Sequence, residues 1–160
     1  MQDPADEFEG LAAEVARRAK AAGLTVAAAE SLTCGAITNT LGAAPDASEW
    51  LRGGVVAYAE AVKREVLGVA ADDIASTECA RELAVGVARL LRADAAVSVT
   101  GVGGPEPDDG EPAGSVYAAV ALRGDLRDAH FQFDGDPAEV VHATVRAALE
   151  LLRDALPPAR

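Results

Sequence analysis

Short apolar runs alternate with helix-period segments along nearly the whole chain, and this alternation constrains the fold more than any single residue does. Phe8, Leu11, Ala12, Val15 and Ala19 fall at helical spacing, so a helix is predicted over 6–22, closed by Gly23. Leu24 to Ala29 reads as a short buried strand. A second helix is predicted from Thr33 to Leu41, ended by Gly42 and Pro45. Gly53 to Tyr58 reads as a strand entered through two glycines, and Ala59 to Leu67 as a helix that stops at Gly68. Ser76 is a good N-cap, after which Leu83, Val87, Leu90 and Leu91 make one apolar face through Arg92. Ala95 to Thr100 is a strand, followed by a loop from Gly101 to Gly114 that is dense in Gly, Pro and acid. Ser115–Leu122 and Asp128–Phe133 are two strands that can pair directly, and His130 and Gln132 give the second a wet face. Pro137 suits the first turn of a last helix with Val141, Val145, Ala148, Leu149 and Leu152 on its inner side. The pattern predicts an α/β fold: a three-layer α/β/α sandwich with a mostly parallel, partly mixed sheet.

Composition narrows the classes of function. The 160 residues fit one domain, 1–160, and half of them are hydrophobic, as in a globular chain. No apolar run approaches the ~20 residues of a membrane span. The acidic, polar start MQDPADEFEG reads as neither a signal nor a transit peptide, so a cytoplasmic protein without membrane partners is expected. Cys34 and Cys79 show no CxxC spacing and read as reduced thiols. His130 and His142 are too few and too far apart to suggest a metal site, and none is expected. A net charge of −12 argues against nucleic-acid binding through a basic surface. It fits either a salt-rich cytoplasm or a drift in composition. Only two lysines, Lys20 and Lys63, stand against twelve arginines, which makes a lysine in a special position a mild signal.

Three places have residues suited to chemistry. Glu30-Ser31-Leu32-Thr33 falls where a strand gives way to a helix, and ligands of open α/β sheets bind beyond the carboxyl ends of strands. Free N–H groups there can hold a phosphate or an oxyanion. Simple N-capping by Ser31 or Thr33 explains the same residues, and on spacing alone it is the plainer reading. Lys63, near Tyr58, can serve a serine as base if burial lowers its pKa, or it is an ordinary surface lysine. Thr100 to Pro105, TGVGGP, is a glycine-rich turn that lets backbone approach a phosphate, although Glu106 breaks a dinucleotide fingerprint and no P-loop lysine follows.

Taken together, these places resemble the CinA C-terminal domain family, whose characterised members are nicotinamide-nucleotide amidohydrolases of the PncC type. The family's A-E-S-x-T-G-G is matched by Ala29-Glu30-Ser31-Leu32-Thr33-Cys34-Gly35. Its G-G-x-x-A-Y segment with lysine five residues on is matched by Gly53 to Tyr58 and Lys63. T-G-x-x-G-P is matched by Thr100-Gly101-Val102-Gly103-Gly104-Pro105, and P-x-G-[ST]-V-Y by Pro112 to Tyr117. The likeness runs from about Glu7 to Leu152. Two positions depart from it. Cys34 replaces the first glycine of T-G-G, and the arginines that family members commonly carry after the final G-D are absent, since Gly135-Asp136 is followed by Pro137 and Val141. Larger members also have an N-terminal domain related to molybdopterin-binding proteins, and this chain is expected to start downstream of it.

The resemblance implies hydrolysis of nicotinamide mononucleotide to nicotinic acid mononucleotide and ammonia, with no cofactor. In that scheme Ser31 is the nucleophile and Lys63, helped by Tyr58, takes its proton. Glu30, Thr33, Cys34 and Gly35 lie at the substrate, with amides near Thr33 to Gly35 holding the oxyanion. Cys34 is expected in the first turn of the second helix. Thr100, Gly101, Gly103, Gly104 and Pro105 contact the nucleotide. The scheme requires Glu30 to point away from Lys63, because a nearby carboxylate favours the charged amine. The partner is a small-molecule nucleotide, with a homo-oligomer left open. The alternative is a non-catalytic paralog that binds a nucleotide or a partner protein.

Overall fold

The computed structural model describes residues 4–160. The elements are α1 (Pro4–Ala22), β1 (Val26–Glu30), α2 (Ala36–Gly42), α3 (Ala47–Trp50), β2 (Leu51–Val56), α4 (Glu60–Leu67), α5 (Thr77–Leu91), β3 (Ala95–Gly101), β4 (Ser115–Leu122), β5 (Asp125–Gln132) and α6 (Pro137–Ala155). The strands form one sheet in the order β2-β1-β3-β4-β5. β1 runs parallel to both β2 and β3, whereas β3–β4 and β4–β5 are antiparallel, so the sheet is mixed.

Side-chain alternation along the strands builds the three layers. Val26 and Ala28 of β1, Val97 and Val99 of β3, and Ala118 and Val120 of β4 join one core with α1, α2 and α6. Their neighbours Ala27, Ala29 and Ala96 face the other way, against Leu67 of α4 and Leu83 and Val87 of α5. Alanine dominates the second face, and this lets α5 lie close to the sheet. In the same layer, a side chain on Gly86 would collide with the Leu67 carbonyl, so α4 and α5 meet backbone to backbone.

Several boundaries differ from the periodicity. β1 begins at Val26, two residues later than expected, and α2 begins at Ala36 because Thr33–Gly35 form a turn first. β2 begins at Leu51, where it pairs with Val26. β5 begins at Asp125 because the tight turn at Arg123–Gly124 leads directly into pairing with β4. The four-residue α3, which buries Trp50, has no periodic signal at all. Among the described residues no helix is long and apolar enough to cross a membrane.

From β1 the chain passes over one face through α2 and α3 to the edge strand β2. From β2 it returns over the opposite face through α4 and α5 to β3 on the other side of β1. The two crossovers diverge at the carboxyl end of β1, which is where open α/β sheets leave a crevice. Ser31 follows β1 at that point.

Candidate active site

The turn after β1 is organised by Glu30. Its carboxylate, 1% exposed, accepts hydrogen bonds from Thr33 Oγ1 (2.6 Å), Ile37 N–H (2.9 Å), Thr38 N–H (2.8 Å) and Thr38 Oγ1 (2.7 Å). Two of these donors are amides of the first turn of α2, which have no partner within the helix. Glu30 therefore caps α2 from the preceding strand, with its charge at the positive end of the helix. The Thr38 hydroxyl reaches it because β2 is a glycine opposite: a side chain on Gly54 would collide with Thr38 Oγ1. The turn closes with the Cys34 N–H on the Ser31 carbonyl (3.1 Å) and the Ala36 N–H on the Thr33 carbonyl (3.0 Å). Cys34 adopts the left-handed conformation, φ 49°, and Gly35 follows at φ 99°.

Lys63, from α4, reaches into the space above Ser31 and is only 2% exposed. Its Nζ lies 3.0 Å from Ser31 Oγ, 2.8 Å from the Ala57 carbonyl and 3.1 Å from the Tyr58 carbonyl. No carboxylate forms an ion pair with it among the described residues, and Glu30 is turned toward α2 instead. Burial lowers the Lys63 pKa; the Cys79 sulfur and the Glu60 carboxylate pull the other way. Burial also pushes Cys79 up to about 11, so at neutral pH it is an uncharged thiol and only Glu60 opposes the shift. That carboxylate is already paired with Arg64 at 2.8 Å.

The same three contacts serve an ammonium, with three N–H bonds, and a neutral amine, with two N–H bonds and one lone pair. Two carbonyls accept the two N–H bonds, and the lone pair is left facing the Ser31 hydroxyl. In the ammonium form the third N–H donates to Ser31 Oγ. A proton can therefore pass between Ser31 and Lys63 without any heavy atom moving.

Ser31 and Lys63 line a cavity of about 460 Å³, within the range of small-molecule sites. Thr100, Gly101, Gly103, Gly104 and Pro105 line it too, as does Tyr58. Tyr58 meets Lys63 through its main-chain carbonyl, and the residue is 69% exposed. The buried Thr100 hydroxyl donates to the Ile74 carbonyl at 2.7 Å, so only its lone pairs are left for a ligand. Gly101 has a packing role: a side chain there would strike the Ser115 carbonyl and Val116 of β4. Glu30, Thr33, Cys34 and Gly35 were expected at the substrate, but they do not line the cavity. Glu30 and Thr33 bond to each other beneath it. Cys34 is exposed in the turn preceding α2, not in its first helical turn.

Pro137 and Val141 of α6, already noted as a departure from the family pattern, also line the cavity, whereas sequence reasoning missed Asp73, Ile74 and Ala75, which the segment before α5 brings there. None has a local signal, since each arrives there by chain crossing. Among the described residues no group of three or more His, Cys, Asp or Glu side chains is placed to hold a metal ion.

Residues 8–156 match the model of the CinA C-terminal domain. The chain belongs to the CinA C-terminal domain family. A CinA-like protein from Syntrophotalea carbinolica is 37% identical over 153 residues, 91% of this chain and 37% of that protein. A Geobacillus kaustophilus protein named as competence-damage inducible is 44% identical over 121 residues, 72% of this chain and 29% of its own length. The chain thus spans about a third of the length of these curated relatives. Among solved structures, competence damage-inducible protein A from Klebsiella pneumoniae superposes with a TM-score of 0.87 at 38% identity, covering 92% of this chain and 96% of that one. A CinA superfamily protein from Escherichia coli gives 0.90 at 32% identity, covering 98% and 94%. The two departures from the family pattern now have positions. Cys34 occupies a left-handed backbone site, where glycine avoids a cost of about 1–2 kcal/mol. Pro137 and Val141, where the family's arginines would begin, face the cavity, and among the described residues Lys63 is the only Lys or Arg in its wall.

Proposed function

We propose that this CinA-family domain hydrolyses the carboxamide of nicotinamide mononucleotide, releasing ammonia and nicotinic acid mononucleotide. The observation that carries the reading is the Ser31–Lys63 pair: a buried amine with no ion-pair partner among the described residues, 3.0 Å from a hydroxyl at the wall of a substrate-sized cavity. Ser31 Oγ attacks the carboxamide carbon as Lys63 Nζ takes its proton, which gives a tetrahedral oxyanion. The Cys34 and Ala36 amides are already taken up within the turn and Thr33 and Gly35 lie outside the cavity wall, so the amide of Leu32 is the candidate to receive the oxyanion. The Lys63 ammonium then returns the proton to the departing nitrogen, the C–N bond breaks and ammonia leaves. Water attacks the acyl ester, Lys63 takes its proton and passes it to Ser31 Oγ, and the acid is released.

A second reading is supported by the wall at Pro137 and Val141. A site with no arginine offers a phosphate no guanidinium, which favours a paralog that binds a nucleotide or a partner without turnover. Ammonia release from nicotinamide mononucleotide by the purified protein, with nucleotide binding measured in parallel, separates the two. Turnover that disappears by several orders of magnitude in a folded Ser31→Ala variant supports the first. Binding without turnover in the unsubstituted protein supports the second. Ser31→Ala removes one hydrogen bond of about 1 kcal/mol, so its melting temperature should stay within roughly 2–4 °C.

A further inference from the structure

The wall of the cavity opposite Lys63 is largely the loop between β3 and β4, and the way this loop is held singles out a residue that motif reading passes over. Its neck is closed by backbone: Val102 N–H donates to the Ser115 carbonyl (2.9 Å) and Gly114 N–H to the Val102 carbonyl (2.7 Å). Its tip is a small turn in which Asp108 and Glu111 exchange backbone hydrogen bonds of 3.0 and 2.8 Å. Between neck and tip, Pro105 to Asp109 form the cavity wall. Among the described residues, the hydrogen bonds that tie 103–112 to the sheet are the Ser115 N–H on the Pro112 carbonyl (3.1 Å), at the foot of the loop, and the two accepted by the Glu111 side chain nearer its tip.

A single oxygen of that carboxylate, Oε2, accepts from Ser115 Oγ (3.0 Å) and from Tyr117 OH (3.3 Å), both on β4. Ser115 Oγ has only one proton and gives it to Glu111. Its 3.1 Å contact with His130 Nε2 is therefore one in which the ring nitrogen donates. His130 also stacks on Tyr117, with ring centroids 4.2 Å apart and planes 2° from parallel. Two side chains of β4 thus converge on one oxygen of a loop residue, and His130 of β5 packs behind them. Glu111 and His130 do not line the cavity, so the cluster has no direct access to a ligand.

We propose that Glu111 is a positioning residue, which holds the Pro105–Asp109 wall against the Ser31–Lys63 pocket through Ser115, Tyr117 and His130 and so sets substrate capture without touching the chemical step. The proposal rests on the amidohydrolase reading for its kinetic form. Its structural form is read independently of turnover.

The test uses Glu111→Ala, Glu111→Gln and Tyr117→Phe. Glu111→Ala should raise KM for nicotinamide mononucleotide about tenfold or more and leave kcat within about twofold. Glu111→Gln should restore most of the loss, because one amide oxygen can take the place of Oε2, and Tyr117→Phe should fall between. Hydrogen exchange at 103–111 should accelerate in Glu111→Ala, while the amides of Ile37 and Thr38 keep their protection. Unchanged exchange at 103–111 overturns the proposal whether or not the protein turns over. A proportional fall in kcat with KM unchanged overturns it, and so does failure of Glu111→Gln to rescue. If no variant turns over, nor the parent, the exchange result alone decides it, and the amidohydrolase reading fails separately.

Discussion

Two ionisable side chains are buried at the same end of the sheet, and the protein treats them in opposite ways. In the turn 30–38, Glu30 is met by four hydrogen-bond donors, two of them amides at a helix start. Together they fix both carboxylate oxygens in place. On α4, Lys63 is met by two carbonyls and a hydroxyl, with no carboxylate in an ion pair with it among the described residues. Equal burial therefore has unequal results. The carboxylate becomes a fixed anchor that shapes the turn carrying Ser31. The amine has its ammonium form disfavoured by burial. The two belong together, because an anchor placed beside Lys63 would have kept it charged.

The largest break in this comparison should come from Lys63. Lys63→Arg keeps a cation but cannot give up its proton at neutral pH, and ammonia release should fall by about 10³-fold. The pH dependence gives the sign. The base acts only when unprotonated, so kcat/KM of the parent should fall as pH drops through the Lys63 pKa and level off above it. Because burial lowers that pKa, the plateau should be reached below the usual lysine value of ~10.4. A profile that continues to rise to the ordinary lysine range, or normal turnover in Lys63→Arg, removes Lys63 as the base.

Glu30→Gln should act on the other side of the comparison. The amide nitrogen would face donors, and the charge opposite α2 would be lost. The expected cost is about 2–4 kcal/mol, read as a drop of roughly 5–15 °C in melting temperature. A variant that melts with the parent but loses turnover would show that Glu30 belongs to the chemistry and not to the anchor.

The smallest effect sharpens the picture of the turn. Cys34→Gly relieves a left-handed residue, and should raise stability by about 0.5–1 kcal/mol after the greater freedom of the unfolded glycine is allowed for. Denaturant titration measures it. Because Cys34 is exposed and outside the cavity wall, turnover should be unchanged, and alkylation of Cys34 should not be slowed by nucleotide. Protection by ligand would return Cys34 to the site.

Much of the fold was legible along the chain, because helix and strand periods are local. Gly23, Ser76, Pro137 and the apolar faces of α1, α5 and α6 placed those elements closely. Where the signal was not local, it failed. The short α3 is held by the burial of Trp50, and the first half of β5 is polar and exposed because it edges the sheet. α2 was placed too early, since Thr33–Gly35 carry helix-compatible residues but a left-handed turn.

Of the candidate site, the sequence by itself determined which residues were available: a serine beyond a strand, a rare lysine after the next, and a glycine-rich turn after the third. Only the tertiary structure decided how they are used. The divergence of the two crossovers brings Lys63 to Ser31 across 32 positions of chain, turns Glu30 into a helix cap and leaves Cys34 outside. The pairing of β3 with β4 likewise gives Glu111, which has no motif of its own, its contact with two side chains of β4. The reason is physical: hydrogen bonding and desolvation depend on distances through space, and a local sequence period cannot encode which distant groups will share one buried point.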